Sequence, residues 1–316
     1  MKRIYLKSVL ILVLSCIIGF LVASAQPADR SMFKGKFNFY VVNDMGRNGY
    51  YDQKPIAELM GNMAEQGADP EFVVALGDVH HFNGVESTSD PLWMTNYELI
   101  YSHPELMLDW FPILGNHEYR GNTQACLDYT NISRRWEMNG RYYTKVFEDK
   151  GMTLRLIWID TTPMMSKYRT DNDTYPDVAS QDYQKQLAWL DSVLTQAKED
   201  WIIVMGHHPL YAETSKDEEE RLDMQATVGK VLSRHHVDMY INGHIHNFQH
   251  LRIKGSDIDY ITNSAASLSR KVKPVEGTVF CSSEPGFSIV SADKTSLVLR
   301  MIDKQGNVLH TVTRSK

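Results

Sequence analysis

The stretch Phe111-Pro112-Ile113-Leu114-Gly115-Asn116-His117-Glu118 joins an apolar run to a glycine and then to three side chains able to bind a metal or move a proton. A short apolar run bounded by turn residues reads as a buried strand. The same succession recurs at four other places. Phe37–Val42 runs into Asn43-Asp44-Met45-Gly46, and Phe72–Leu76 into Gly77-Asp78. Trp201–Met205 runs into Gly206-His207-His208, and Val237–Ile241 into Asn242-Gly243-His244-Ile245-His246. One such coincidence carries little weight. Five in order converge on one place, because α/β sheets bind their ligands beyond the carboxyl ends of the strands.

Helical patterns lie between these runs. Gln181–Ala197 repeats Leu187, Leu190, Leu194 and Ala197 at helical spacing, and Ile56–Glu65 and Arg221–Arg234 are shorter candidates. Strands alternating with helices predict parallel pairing. The last part of the chain reads differently. Asp259–Thr262, Phe287–Val290, Ser296–Ile302 and Leu309–Val312 are short strands separated by turns, which predicts a second, largely antiparallel or mixed sheet packed on the first. The expected fold is α/β, with two mixed β-sheets packed as a sandwich and flanked by α-helices. Thr161–Asp182 follows a strand ending at Asp160 and is rich in Asp, Tyr and Pro. It is either a loop leaning over the site or a surface excursion. The acidic run Asp217–Glu220 reads as the solvated first turn of a helix.

The 316 residues carry 33 Lys and Arg against 39 Asp and Glu, a formal charge of −6, with 43% hydrophobic residues. That composition excludes disordered and collagenous chains. It also argues against nucleic-acid binding, which needs a basic surface. Residues 1–25 read as a signal peptide. Lys2, Arg3 and Lys7 precede the apolar run Val9–Val22, and Ala23-Ser24-Ala25 offers a cleavage site. The apolar run has 14 residues, which is short for a membrane span. The expectation is a secreted or periplasmic monomer covering residues 26–316, without stable membrane insertion. Removal of the signal leaves 30 cations against 39 acids, a charge of −9. Cys126 and Cys281 remain, and an exported protein permits a disulfide whose formation the sequence does not fix.

Asp44, Asp78, Asn116, His207, His244 and His246 supply carboxylate, amide and imidazole donors without a thiolate. This set suits iron, zinc or manganese. It is too large for one tetrahedral ion and fits two ions sharing a carboxylate, a device used for phosphate ester hydrolysis.

Taken in order, Asp44-x-Gly46, Gly77-Asp78, Gly115-Asn116-His117-Glu118, Gly206-His207 and Gly243-His244-x-His246 resemble the calcineurin-like metallophosphoesterase superfamily. The first motif lacks the second His of the common Asp-x-His form, which points to the purple acid phosphatase branch. Phe82-Asn83-Gly84-Val85, Arg135-Trp136 and Leu187-Ala188-Trp189-Leu190 are similar to its small members, the tartrate-resistant acid phosphatases. The resemblance implies a dinuclear phosphatase acting on small phosphomonoesters by attack of a metal-held hydroxide. It implies that Asp78 bridges two ions, that Asp44 and His246 bind one, and that Asn116, His207 and His244 bind the other. It places His117, with Asn116, beside the substrate phosphate, where His117 aids the leaving group; Glu118 is either its second partner or exposed. His208 adjoins a ligand and is a candidate to line the cleft.

Two positions depart from the family pattern. The second motif's Tyr, whose phenolate gives the purple colour on Fe(III), is His81 here. The expectation is therefore His81 as a replacement ligand, no strong purple band, and iron paired with zinc, iron or manganese. Related enzymes also carry a His about nine residues after the fourth motif, where this chain reads Ala212-Glu213-Thr214-Ser215-Lys216. The same motifs fit a phosphodiesterase or nucleotide pyrophosphatase, and a secreted metal-binding protein that has lost catalysis.

Overall fold

The computed structural model describes residues 26–216 and 218–316. The expected signal, residues 1–25, lies outside the described residues, as does Asp217 of the acidic run. The strands are β1 (Gln26–Pro27), β2 (Phe37–Val42), β3 (Pro70–Ala75), β4 (Asp109–Pro112), β5 (Tyr143–Asp149), β6 (Met152–Trp158) and β7 (Trp201–Met205). They continue as β8 (Met239–Asn242), β9 (Phe248–Arg252), β10 (Asp259–Thr262), β11 (Thr278–Ser282), β12 (Gly286–Ala292), β13 (Ser296–Asp303) and β14 (Asn307–Ser315). The helices are α1 (Gln53–Met63), α2 (Thr123–Asp128), α3 (Ser166–Thr170), α4 (Tyr183–Gln196), α5 (Glu218–Met224) and α6 (Lys230–Leu232). A π-helical turn, Gln225–Gly229, joins α5 to α6 where the periodicity predicts a single helix.

Two seven-stranded sheets form, in the orders β1-β14-β13-β12-β2-β3-β4 and β11-β9-β10-β8-β7-β6-β5. Both are mixed. In the first, β2, β3 and β4 are parallel while β12 and β13 pair antiparallel. In the second, β6, β7, β8 and β10 are parallel. The sandwich of two mixed sheets matches the expected fold class. The division between the sheets does not follow chain order, contrary to the expectation of a separate C-terminal sheet. The C-terminal β12–β14 complete the sheet begun by β2, and β10 and β11 join the sheet of β7 and β8. Each parallel core leaves an edge with unpaired backbone groups, and a later strand that satisfies such an edge is favoured whatever its place in the chain.

Alternation along β2 explains its unbroken apolar character. Phe39 and Val41 point into the core between the sheets, with Val74, Leu156, Ile203 and Ile241. Tyr40 and Val42 point to the outer core, with Ile56 and Met60 of α1. Successive side chains face opposite sides, so a strand covered on both faces is apolar at every position. On the other outer face, Leu190 and Leu194 of α4 pack in the cluster that holds Ile202 and Val204 of β7. Burying a Leu or Val side chain contributes about 1.5–3 kcal/mol. The two faces together therefore fix which way each strand end points.

Candidate metal centre

The carboxyl ends of β2, β3 and β4 in one sheet, and of β7 and β8 in the other, meet at one edge of the sandwich. Backbone hydrogen bonds carry the register into the loops. Asp44 N donates to Gly77 O at 3.1 Å, and Gly243 N to His207 O at 3.0 Å. Asp44, Asp78, His244 and His246 adopt φ values of 49°, 53°, 73° and 60°. Non-glycine residues in this left-handed region cost on the order of 1 kcal/mol or more each, and such strain gathers at functional sites. Glycine is needed where the loops touch. A Cβ on Gly115 would lie 2.2 Å from Asp78 Oδ1, and one on Gly46 would lie 1.8 Å from Val79 O.

Asp78 sits at the centre. Its Oδ1 accepts the His117 amide at 2.9 Å. Its Oδ2 faces Nε2 of His207 at 3.2 Å, of His81 at 3.4 Å and of His117 at 3.8 Å. Asp44 Oδ2 is held by Asn43 Nδ2 at 2.7 Å and His244 N at 2.8 Å. That leaves Oδ1 facing His246 Nε2 at 3.0 Å without an aligned hydrogen bond. Among the described residues, Asn116 Oδ1 and both ring nitrogens of His81 are likewise buried without an aligned hydrogen bond.

Three imidazoles are oriented by backbone carbonyls. Nδ1 of His207 reaches Leu76 O at 2.7 Å, that of His246 reaches Leu268 O at 2.7 Å, and that of His117 reaches Phe82 O at 2.6 Å. A carbonyl only accepts, so Nδ1 carries the proton and Nε2 presents its lone pair inward. His244 is fixed differently. Its Nε2 faces Glu220 Oε2 at 3.1 Å, and its Nδ1 lies 3.3 Å from His207 Nε2.

Buried lone pairs facing lone pairs at these distances repel unless a proton or a cation lies between them. Burial lowers the His207 imidazole, but Asp78 and then Asp44 override it and raise its pKa to about 9. Burial raises the Asp78 carboxyl, while His207 and His117 hold it well below the usual range. A metal ion answers the same demand. Among the described residues, ligand atoms close enough to share an ion occur in four overlapping groups: Asp44, His81, His246; Asp78, His81, His117; Asp44, Asp78, His207; and His207, His208, His244. Oxygen and imidazole donors without thiolate fit the ion types named above. Asn116, with its free Oδ1, adjoins His117 at the end of β4.

His117 is the most accessible of the expected site residues, with its side chain 15% exposed. Burial lowers its pKa to about 4, against the opposing charge of Asp78. His208, expected against substrate, is instead wholly buried. Its Nδ1 bonds Thr161 Oγ1 at 2.8 Å, and its ring packs 4.2 Å from that of His244. It lies behind the His244 ring, with the Tyr168 ring on its other side at 5.4 Å. Among the described residues the Glu118 carboxylate makes no hydrogen bond to the His117 ring, and it is not exposed, so neither role considered for it holds. It is buried and accepts the amides of Gly115 at 2.7 Å, Asp78 at 2.8 Å and His80 at 3.0 Å. Among the described residues, Cys126 and Cys281 are both free.

Three contributors carry no role in the sequence reading. Glu220 belongs there to a solvated helical turn, yet it is buried and accepts Tyr168 OH at 2.6 Å and Lys167 Nζ at 2.8 Å besides facing His244. Both partners come from the Thr161–Asp182 segment, which therefore reaches the site through Glu220. Lys216 lies beside His244. Asn263 bridges the sheets beneath Asp44, donating to Val41 O at 3.0 Å and Asn43 Oδ1 at 2.6 Å. A short strand followed by Asn, as at Phe37–Val42 and Asn43, also marks Asp259–Thr262 and Asn263. No comparable sign marks Glu220, since an acid in a first helical turn is ordinary.

Comparison with known proteins agrees with this architecture. The profile of the calcineurin-like phosphoesterase family matches residues 37–248. Purple acid phosphatase 3 of Arabidopsis thaliana is 30% identical over 87% of this chain and 77% of its own length. Tartrate-resistant acid phosphatase type 5 of Sus scrofa is 31% identical over 59% of this chain and 55% of its own. Among solved structures, GAP50, described as the anchor in the inner membrane complex of Plasmodium, superposes with a TM-score of 0.75 at 22% identity, covering 89% of each chain. That likeness speaks to fold alone. Among the described residues, no helix is long and apolar enough to cross a membrane.

Proposed function

This chain belongs to the calcineurin-like phosphoesterase family and, within it, to the purple acid phosphatase branch; on that premise we propose that it is an exported phosphomonoesterase working with two metal ions. The observation that carries the reading is the meeting of Asp78 Oδ2 with three imidazole Nε2 atoms at 3.2–3.8 Å, next to the unpartnered Asp44 Oδ1 and Asn116 Oδ1. In this reading Asp44, His81 and His246 hold one ion, Asn116, His207 and His244 hold the other, and Asp78 serves both. When bound there, two such ions would supply an acidified water and charge neutralisation for the phosphate oxygens.

The chain's own residues do the rest. His117 keeps its Nδ1 proton on Phe82 O, so its Nε2 is the atom available to the leaving oxygen. A phosphate dianion beside it favours the imidazolium and raises the lowered pKa. The ring then takes up a proton with the substrate and gives it to the departing alkoxide. Glu118 keeps the Asp78 and Gly115 loops in register, and Glu220 fixes the tautomer of His244. Export is supported by the pattern of Lys2, Arg3, Lys7, the apolar run and Ala25.

The test is metal content and visible absorbance of the exported protein, with hydrolysis of p-nitrophenyl phosphate and bis-p-nitrophenyl phosphate after loading with iron, zinc or manganese. Two ions per chain, monoester turnover and no purple band are expected. Preferred turnover of the diester would move the reading to a phosphodiesterase. Two bound ions without turnover of either ester would favour the non-catalytic alternative. A mature N-terminus other than Gln26 would overturn the cleavage site.

A further inference from the structure

Lys216 stands on the segment between His207 and α5, and its ammonium is turned into the metal centre. Nζ donates to His244 O at 2.6 Å and lies 3.2 Å and 3.3 Å from the two ring nitrogens of that residue. It has no carboxylate partner among the described residues. Glu220, four positions along, is already engaged by Lys167 and His244. The negative charges that act on Lys216 are Asp44, Glu220 and Asp78, with Arg270 opposing. Arg47 feels the same Asp44 and Asp78, and the same Arg270. Lys216 and Arg47, from separate segments, thus both feel the charge of the same two carboxylates.

Asp44 and Asp78 are the residues read above as metal ligands. Once their charge is spent on metal ions, they no longer offset Lys216 and Arg47. The remaining counter-charge, Glu220, is shared with Lys167 and His244, so the partly buried ammonium is left under-compensated, and the cost is relieved by an anion brought in from outside. An ammonium has three N–H donors; the His244 carbonyl takes one and the Nδ1 lone pair of that residue lies within reach of a second, which leaves one for an oxygen atom from outside. A doubly charged phosphate monoester offers three terminal oxygens and balances this excess better than a singly charged diester, whose second ester group also occupies one oxygen.

We infer that Lys216 contacts the substrate phosphate and sets the preference for dianionic monoesters over diesters. This rests on the phosphomonoesterase reading for the ester preference, while the anion contact itself does not require turnover. The experiment compares metal-loaded wild type with K216M and K216R. It measures calorimetric binding of inorganic phosphate, KM and kcat for p-nitrophenyl phosphate and bis-p-nitrophenyl phosphate, metal per chain and Tm. In K216M, phosphate binding should weaken roughly ten- to a hundredfold, the worth of one charge-assisted hydrogen bond. KM for the monoester should rise in step, with a much smaller change for the diester and with metal content unaltered. K216R should recover much of the loss. Unchanged phosphate binding, or equal losses for both esters accompanied by lost metal, would overturn the inference. If wild type turns over neither ester while K216M still weakens phosphate binding, the phosphatase reading fails and the anion contact stands. If wild type turns over the monoester while phosphate binding is indifferent to position 216, the phosphatase reading stands and the Lys216 contact fails.

Discussion

The carboxylate of Glu118 accepts the backbone amide of Asp78 at 2.8 Å, forty positions earlier in the chain. The same oxygen takes the Gly115 amide at 2.7 Å, and its partner oxygen takes His80 N at 3.0 Å. One side chain therefore locks the loop after β3 to the loop after β4. Burial, with Asp78 nearby, raises its pKa to about 7.

E118A leaves three buried N–H groups without acceptors. Each unsatisfied donor costs roughly 1–3 kcal/mol. A Tm fall of about 10 °C is expected in the metal-free protein, where stability is read apart from metal binding. A shift within about 2 °C would mean that water replaces the carboxylate and that the lock is unimportant.

H117A and D78N separate chemistry from metal binding. H117A should keep two ions per chain and lose about 10²–10⁴-fold in kcat, the usual worth of a positioned proton donor. D78N should lose metal as well as turnover, because a neutral amide replaces the central carboxylate. Metal analysis beside steady-state kinetics checks both. Full activity in H117A would remove it from the reaction.

Glu220 faces His244 Nε2 and so leaves Nδ1 as the inward atom. Burial acts to raise its carboxyl, yet His244 and Lys167 hold it well below the usual range. E220A frees the ring to turn. Loss of such a partner typically weakens metal binding 10–100-fold. After dialysis, the metal content should fall from two ions towards one. Retention of both would reduce Glu220 to a packing residue.

H81Y places a phenol where the family carries its iron-binding tyrosine. On iron loading, a visible charge-transfer band absent from wild type should appear. Absence of the band in a variant that still binds iron would show that position 81 does not reach the ion.

His310 offers a pH test away from the site. Its Nε2 lies 2.9 Å from His250 Nδ1, and His250 Nε2 lies 2.9 Å from Asp259 Oδ1. Burial and the neighbouring His250 lower its pKa to about 4. Between about 4 and the unfolded value near 6.5 the unfolded chain binds more protons than the folded one. Stability is therefore lost as pH falls through that window. Discounted for partial exposure, the loss is on the order of 1 kcal/mol. Urea midpoints at about pH 7 and about pH 4.5 should differ less in H310Q than in wild type. An equal slope in both would exclude His310 as a source.

The sequence by itself determined the strands, their polar ends and the chemistry of the ligand set. Phe37–Val42 and Trp201–Met205 are strands at the residues read from their apolar runs, and Asp259–Thr262 at the residues read as a short strand between turns. This was possible because burial on both faces and a turn after the last residue are local demands. They are written in consecutive positions, as in Leu114-Gly115-Asn116-His117.

Only the tertiary structure decided how the strands were shared between the sheets, and which distant polar groups closed the site. β12 to β14 flank β2 because an open edge must be satisfied, a demand with no local signature. Glu220 and Asn263 acquire their roles from what lies across the fold: His244, Tyr168 and Lys167 for one, Val41 and Asn43 for the other. A carboxylate in a first helical turn looks the same in sequence whether it meets water or a buried imidazole. Its surroundings are set by packing of elements far apart in the chain, and the energy of a polar group depends on those surroundings rather than on its neighbours in sequence.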